Sequence, residues 1–152
     1  VAIEEYRRKE GLEDHIYLAG FREDIPGFLK AIDILVMPSN WEGFGYAVVE
    51  AMAAGKPVVA SHVSSIPEIV EDCRTGFLVP PRSPEKLAAA MLSLIENPLL
   101  RNRMGKAGRR KVAEVFTVSS MVEKIEALLL DTAGECHPAL ASKEGRLKSV
   151  AA

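Results

Sequence analysis

Short runs of β-branched and apolar residues alternate with longer helical stretches along this chain, and no other feature constrains its fold as much. Strands separated by helix-length connections pair in parallel, with the helices laid on the faces of the sheet. Strands are predicted at 16–19, 34–37, 58–60 and 77–79, each followed by turn residues: Gly20, then Pro38 and Ser39, then Ser61, then Pro80 and Pro81. Helices are predicted over 1–9, 25–31, 46–54, 67–71, 84–96, 98–115 and 119–130. Ser83 before Pro84 and Asn97 before Pro98 each set a capping side chain ahead of a proline suited to the first helical turn. Ser120 with Glu123 can form a capping box. Within 84–96, Leu87, Met91, Leu94 and Ile95 share one face, as a helix packed on a sheet requires. The domain therefore spans 1–130, and 131–152 reads as a poorly ordered tail.

With 152 residues, 48% of them hydrophobic, the chain can bury one compact core and is too short for two of ordinary size. A net charge of −2 gives no sign of a nucleic-acid partner, and no apolar run approaches the length of a membrane span. Cys73 and Cys136 are read as free thiols, and His15, His62 and His137 are too scattered for a ligand set. No Asp-x-Asp pair occurs either, so no metal site and no cofactor are expected. A soluble cytoplasmic protein fits. Because the chain opens at Val1 inside what reads as a charged helix, with no signal peptide, a fragment of something longer is expected.

The chemistry concentrates in Glu42-Gly-Phe-Gly-Tyr-Ala-Val-Val-Glu50. From Tyr46 to the stop at Gly55 and Pro57 the segment is apolar but for Glu50, and a helix apolar on every side is usually buried. An ionised carboxylate there needs a cation, a set of donors, or a ligand with hydroxyls. The amides of Gly43, Phe44 and Gly45, next to a helix N-terminus, suit a phosphate or diphosphate. Glu50 can accept from both hydroxyls of a ribose, and Glu42, at the mouth of the loop, from those of a sugar. The plainer alternative has Glu42 facing the helix N-terminus and Glu50 paired with a core lysine or arginine.

Other features weigh less. Arg101, Arg103, Lys106, Arg109, Arg110 and Lys111 form a basic stretch that could meet an anionic membrane surface at the inner face, although such faces are more often simply solvated. His62 follows a strand at the edge where parallel sheets place ligands, and Trp41 would suit a sugar-pocket wall or, at least as well, a core or rim position.

Several stretches in one order resemble the C-terminal, donor-binding domain of retaining GT-B glycosyltransferases, especially glycosyltransferase family 4, the glycosyl transferases group 1. They are Leu18-Ala-Gly-Phe-Arg-Glu-Asp24, Asp33-Ile-Leu-Val-Met-Pro-Ser39, and the run from Glu42 through Gly55-Lys-Pro-Val-Val59. Ile66-Pro-Glu68, Thr75-Gly-Phe-Leu-Val-Pro-Pro81 and Arg101-Asn-Arg-Met-Gly105 complete the set, so the resemblance covers about 1–130. It implies a Rossmann-like parallel α/β sheet and transfer of a hexose, with retention and without a metal, from a nucleotide-diphosphate sugar such as a UDP- or GDP-hexose. By the same resemblance Glu42 lies by the donor sugar as the catalytic candidate, positioning it rather than attacking it, and Glu50 binds the nucleotide ribose. The amides of Gly43, Phe44 and Gly45 would approach sugar and diphosphate, and Phe21 and Arg22 would lie near the base. Ser64 and Ser65 stand where many relatives carry two glycines near the donor sugar, which leaves sugar preference open.

Domains of this family normally open with a strand, a helix and a second strand ahead of the helix that looks like 1–9, and these are absent here. In the family that opening supplies an arginine and a lysine for the diphosphate, and a separate N-terminal domain binds most of the acceptor. With strand order 3-2-1-4-5-6, the strand at 16–19 would lose the neighbours that join it to 34–37. The chain alone is therefore expected to be marginally stable and inactive. Rival readings are a glycogen- or sucrose-synthase-like transferase, a nucleotide-sugar epimerase, and a non-catalytic nucleotide-sugar-binding module.

Overall fold

The computed structural model describes residues 2–136, and their contacts divide into two compact units, Val1–Ile32 and Asp33–Ala152. The first unit holds α1 (Ala2–Lys9) and α2 (Ile25–Ala31). The Arg7 guanidinium donates to the Ile16 carbonyl at 2.7 Å and to Glu4 at 3.0 Å, tying α1 to the chain beyond it. Asp24 caps α2, its carboxylate accepting from the Gly27 amide at 2.8 Å. The strand predicted at 16–19 does not form: among the described residues the segment joins no ladder, and Tyr17 and Leu18 are exposed. A strand exists only through a neighbour's hydrogen bonds, and the apolar pattern alone cannot provide one.

The second unit is built on β1 (Leu35–Met37), β2 (Val58–Ser61) and β3 (Gly76–Val79), a parallel sheet in the order β1-β2-β3. Leu35 lies opposite Val58, which in turn faces Gly76, and the register continues to Met37–Ala60–Leu78. The central strand is buried at all four positions, as expected of a parallel strand covered on both faces. Its connections are α3 (Tyr46–Ala53) and α4 (Ile66–Ile69), and α5 (Pro84–Glu96), α6 (Pro98–Val115) and α7 (Val118–Cys136) follow β3. Val59, Leu94 and Met104 form a core cluster, with Val36, Phe77, Leu87 and Met91 packed against it. Helix α6 lies close on the C-terminal end of α3 because it presents glycines there. A Cβ at Gly105 would overlap the Gly55 carbonyl oxygen, and one at Gly108 would press on the Met52 side chain at 3.3 Å.

Helix starts follow the proline and capping signals with two exceptions. Asn97 caps α6, accepting from the Leu100 amide at 2.9 Å. Ser83 precedes α5 but makes no cap bond, its hydroxyl turning instead to the Pro81 carbonyl. The predicted box of Ser120 and Glu123 is replaced by Thr117, whose hydroxyl accepts from the Ser120 amide at 3.1 Å and starts the helix earlier. Ile95 is 54% exposed, so the packed face of α5 is Leu87, Met91 and Leu94. Helix α7 continues to Cys136, six residues into the stretch read as a tail, while 137–152 lie outside the described residues.

Candidate functional site

The loop after β1 turns into α3 through Gly45, which sits at the N-cap with φ 91°. That left-handed conformation favours glycine, and a Cβ there would also meet Ile66 Cδ1 at 2.7 Å. Ile66 and Ile69 are fully buried, so the loop rests on a fixed floor. The Gly45 carbonyl accepts from the amides of Val48 and Val49, at 3.0 and 3.2 Å, and so begins the helix. Among the described residues the amides of Gly43, Phe44 and Gly45 find no acceptor and remain available to a ligand.

A second loop, after β2, braces the first. Ser64, at φ 47°, presents its hydroxyl to the Glu42 amide at 3.4 Å, and the Ser65 hydroxyl donates to the Phe44 carbonyl at 3.0 Å. The half-buried Glu42 carboxylate accepts from the Ser39 hydroxyl at 3.4 Å. Both loops lie at the carboxyl edge of the parallel strands, where open α/β sheets take their ligands. Sequence alone singles out neither Ser39 nor the bracing by Ser64 and Ser65. A hydroxyl placed just after a β-strand was the signal present, but it does not say which loop it will reach.

Glu50 does not lie on a buried helix face, contrary to the expectation from its apolar neighbours. Glu50 is exposed, on the side of α3 opposite Val48, Ala51 and Met52, and among the described residues no lysine or arginine pairs with it. The helix looked apolar all round because Ala47, Ala53 and Tyr46 occupy its open side, and small or amphipathic residues tolerate water. Glu50 therefore needs no buried partner and stands open to solvent or ligand. Trp41 is 75% exposed, which rules out a core position, and Phe44 packs its ring 5.0 Å from Tyr46 and 6.0 Å from Phe116. His62 follows β2 in an exposed position, its amide donating to the Val79 carbonyl at 2.7 Å. Phe21 and Arg22 belong to the first unit, where both are exposed.

Two members of the basic stretch are engaged by the fold: Arg101 donates to the Leu94 carbonyl at 2.9 Å, and Lys111 pairs with Glu71 at 3.2 Å. Arg103, Lys106, Arg109 and Arg110 stay exposed on the outer face of α6. Partial burial of Glu71 would push its carboxyl up, but hydrogen bonds and charge from Lys111 and Arg74 hold it below its ordinary value. The Cys73 thiol is raised by neighbouring Asp72, which keeps it from acting as a ready thiolate. Among the described residues no three His, Cys, Asp or Glu side chains converge as metal ligands, and no helix is long and apolar enough to cross a membrane.

A parallel sheet with a glycine turn opening a helix at its carboxyl edge makes this an α/β domain of the kind that forms the C-terminal half of GT-B glycosyltransferases. Residues 2–111 match the family described as glycosyl transferases group 1, and the chain belongs to that family. It is 32% identical over 126 residues to UDP-Gal:alpha-D-GlcNAc-diphosphoundecaprenol alpha-1,3-galactosyltransferase of Escherichia coli, covering 83% of this chain and 32% of that one. Anabaena HepE, solved in complex with UDP, superposes with a TM-score of 0.81 at 30% identity over 86% of this chain and 36% of its own. Sucrose-phosphate synthase from Thermosynechococcus elongatus gives 0.79 at 30% identity, covering 88% of this chain and 34% of that one. The chain thus spans about a third of the length of each of these relatives.

Proposed function

We propose that this chain forms part of the donor site of a hexosyltransferase, which moves a hexose from a UDP- or GDP-linked sugar to an acceptor with retention of configuration. The observation that carries the reading is the Gly45 turn, which leaves three loop amides unpaired at the start of α3 with Glu42 beside them and Glu50 open on the same helix. Glu42 would hold the sugar, the amides of Gly43, Phe44 and Gly45 the diphosphate, Glu50 the ribose hydroxyls, and Phe21 and Arg22 the base. UDP in the HepE complexes supports a nucleotide donor.

Cleavage of the bond from the sugar to the diphosphate builds positive charge on the sugar and negative charge on the leaving group. Amides at a helix start oppose the second of these without a divalent ion, so the reaction is proposed to be metal-independent. Acceptor binding and the remaining groups for the diphosphate are assigned to parts of the relatives that this chain does not span, so the chain alone is inactive. We place the protein in the cytoplasm, with the outer face of α6 as the surface that would meet the inner face of the membrane.

Calorimetric titration of the chain with UDP-glucose, UDP-galactose and GDP-mannose tests the donor site. The preferred donor is expected to bind at least about tenfold more weakly to Glu50→Ala, a loss of about 1.4 kcal/mol. Equal affinity for wild type and variant would remove the ribose assignment.

A further inference from the structure

Away from the donor loop, a concavity of about 570 Å³ opens between the turn ahead of β3 and the outer face of α6. Cys73 and Arg74 line it from the turn, and Arg103, Lys106, Ala107 and Arg110 line it from the helix. Four of these six residues are cations, and no carboxylate lines the space.

The fold keeps these charges together without neutralising them. Arg103, Lys106 and Arg110 recur at three and four positions, so they share one face of α6. Like charges at such spacings oppose a helix, yet among the described residues none of the three makes an ion pair or a hydrogen bond. The nearby acids are engaged elsewhere. Glu71 is held by Arg74 and Lys111, and the Asp72 carboxylate accepts from the Leu78 amide at 2.9 Å. Glu114, one turn past Arg110, does not line the space. The turn itself is fixed in place. Cys73 sits at φ 62°, a costly conformation for a residue other than glycine, and its amide donates to the Gly76 carbonyl at 2.9 Å. The Glu71 amide donates to the Thr75 hydroxyl at 2.9 Å, and the pair of Lys111 with Glu71 ties the turn to α6.

Cations that face one space without a counter-charge form a site for an anion. A neighbouring concavity of about 480 Å³ shares Lys106 and is lined also by Lys56, Arg101 and Arg109, but Asp33 lies there too, 3.9 Å from Arg101. The outer face of α6 thus offers anion positions side by side, and the one beside Cys73 is free of acid. A lone soluble phosphate would use one position, whereas a membrane surface presents many phosphates in one layer. No aromatic side chain lines either concavity to stack a base, which speaks against a nucleic acid.

We infer that the concavity between the Cys73 turn and α6 seats the phosphate headgroup of an anionic lipid, with Arg74, Arg103, Lys106 and Arg110 as its donors. This rests on placing the outer face of α6 against a membrane, and it adds where on that face a headgroup is held. Arg74 donates to Glu71 through Nη1, which leaves Nη2 for the phosphate. Apart from Ala107 and the Cys73 thiol the lining is charged, so attachment is electrostatic and weakens as salt rises.

The test is sedimentation of the full 152-residue chain with vesicles of phosphatidylcholine, with and without phosphatidylglycerol, together with the rate at which a maleimide alkylates Cys73, read by mass spectrometry. The chain is expected to bind only the vesicles that contain phosphatidylglycerol, to leave them in high salt, and to show Cys73 alkylated several-fold more slowly when bound. Arg103→Gln and Arg110→Gln should each weaken binding about fivefold, whereas Arg109→Gln, of equal charge on the same helix but lining the other concavity, should weaken it less than about twofold. All three side chains are exposed, so the thermal midpoint should not move. Equal losses for the three variants, or undiminished alkylation of Cys73 on the bound chain, would overturn the seat and leave the membrane-facing role of α6 standing. Absence of binding to either vesicle would overturn both. Saturable binding of glycerol 3-phosphate that depends on Arg103, without vesicle binding, would make the ligand a soluble phosphate and overturn the lipid.

Discussion

Glu71 shows how a single residue joins distant parts of this fold. Its carboxylate meets Arg74 three residues on and Lys111 from α6, and Lys111 also donates to the Glu68 carbonyl at 3.0 Å. Because the folded carboxyl sits below its ordinary value of 4.5, its contribution to stability is fully present above about that pH and is lost as pH falls through the folded value. Urea unfolding of Glu71→Gln is therefore expected to show lower stability than wild type at pH 7, with the difference closing as pH falls below 4.5. A difference that stays constant across that range would mean the pairing contributes nothing. Gly45 makes a stricter demand, since both its φ of 91° and the closeness of Ile66 exclude a side chain. Gly45→Ala should cost about 1–3 kcal/mol in urea unfolding, whereas Gly43→Ala, whose Cβ would meet only Trp41 at 3.8 Å, should cost under about 1 kcal/mol by the same measurement. The glycine loop was legible from sequence because such a turn needs glycine whatever surrounds it. The setting of Glu50 was not, because alanine and tyrosine do not say whether a helix face is covered.

At the scale of elements, what could be read from sequence divides by where the information lies. Pro84, Asn97 and Pro98 mark helix starts by chemistry local to the chain, and α5 and α6 begin where these residues place them. The three strands that pair were legible too, since β2 is apolar from Val58 to Ala60, as a buried central strand requires. The segment 16–19 has equally good composition and no ladder among the described residues, because pairing depends on residues far away. The capping residue of α7 differs from the expected one by three positions because two hydroxyls compete there and each can cap. Thr117 holds the position, with Ser120 inside the first turn. Thr117→Ala is therefore expected to lower stability by about 1 kcal/mol, while Ser120→Ala changes it by less than about 0.5 kcal/mol in chemical denaturation. The reverse order would restore the capping box at Ser120.

Across the whole molecule the balance of burial decides how robust the chain is. Among the described residues 14 hydrophobic side chains are buried, against 21 large ones that are exposed, seven of these along α7 from Val118 to Leu130. The sheet has three strands, and the central cluster rests on Val59, Leu94 and Met104. Exposed hydrophobic area adds nothing to folding, so stability should sit at the low end of the usual range, about 5 kcal/mol or less. Leu94 is fully buried in that cluster, and truncating such a leucine removes about 2–5 kcal/mol, much or all of that margin. Leu94→Ala is accordingly expected to leave a large unfolded fraction at 37 °C, seen as lost near-ultraviolet circular dichroism and a flattened urea transition. Leu128→Ala, at a position 65% exposed, should change neither measurement. If wild type unfolds cooperatively with 8 kcal/mol or more and Leu94→Ala stays folded at 37 °C, the small core is sufficient by itself and the expectation of marginal stability is wrong.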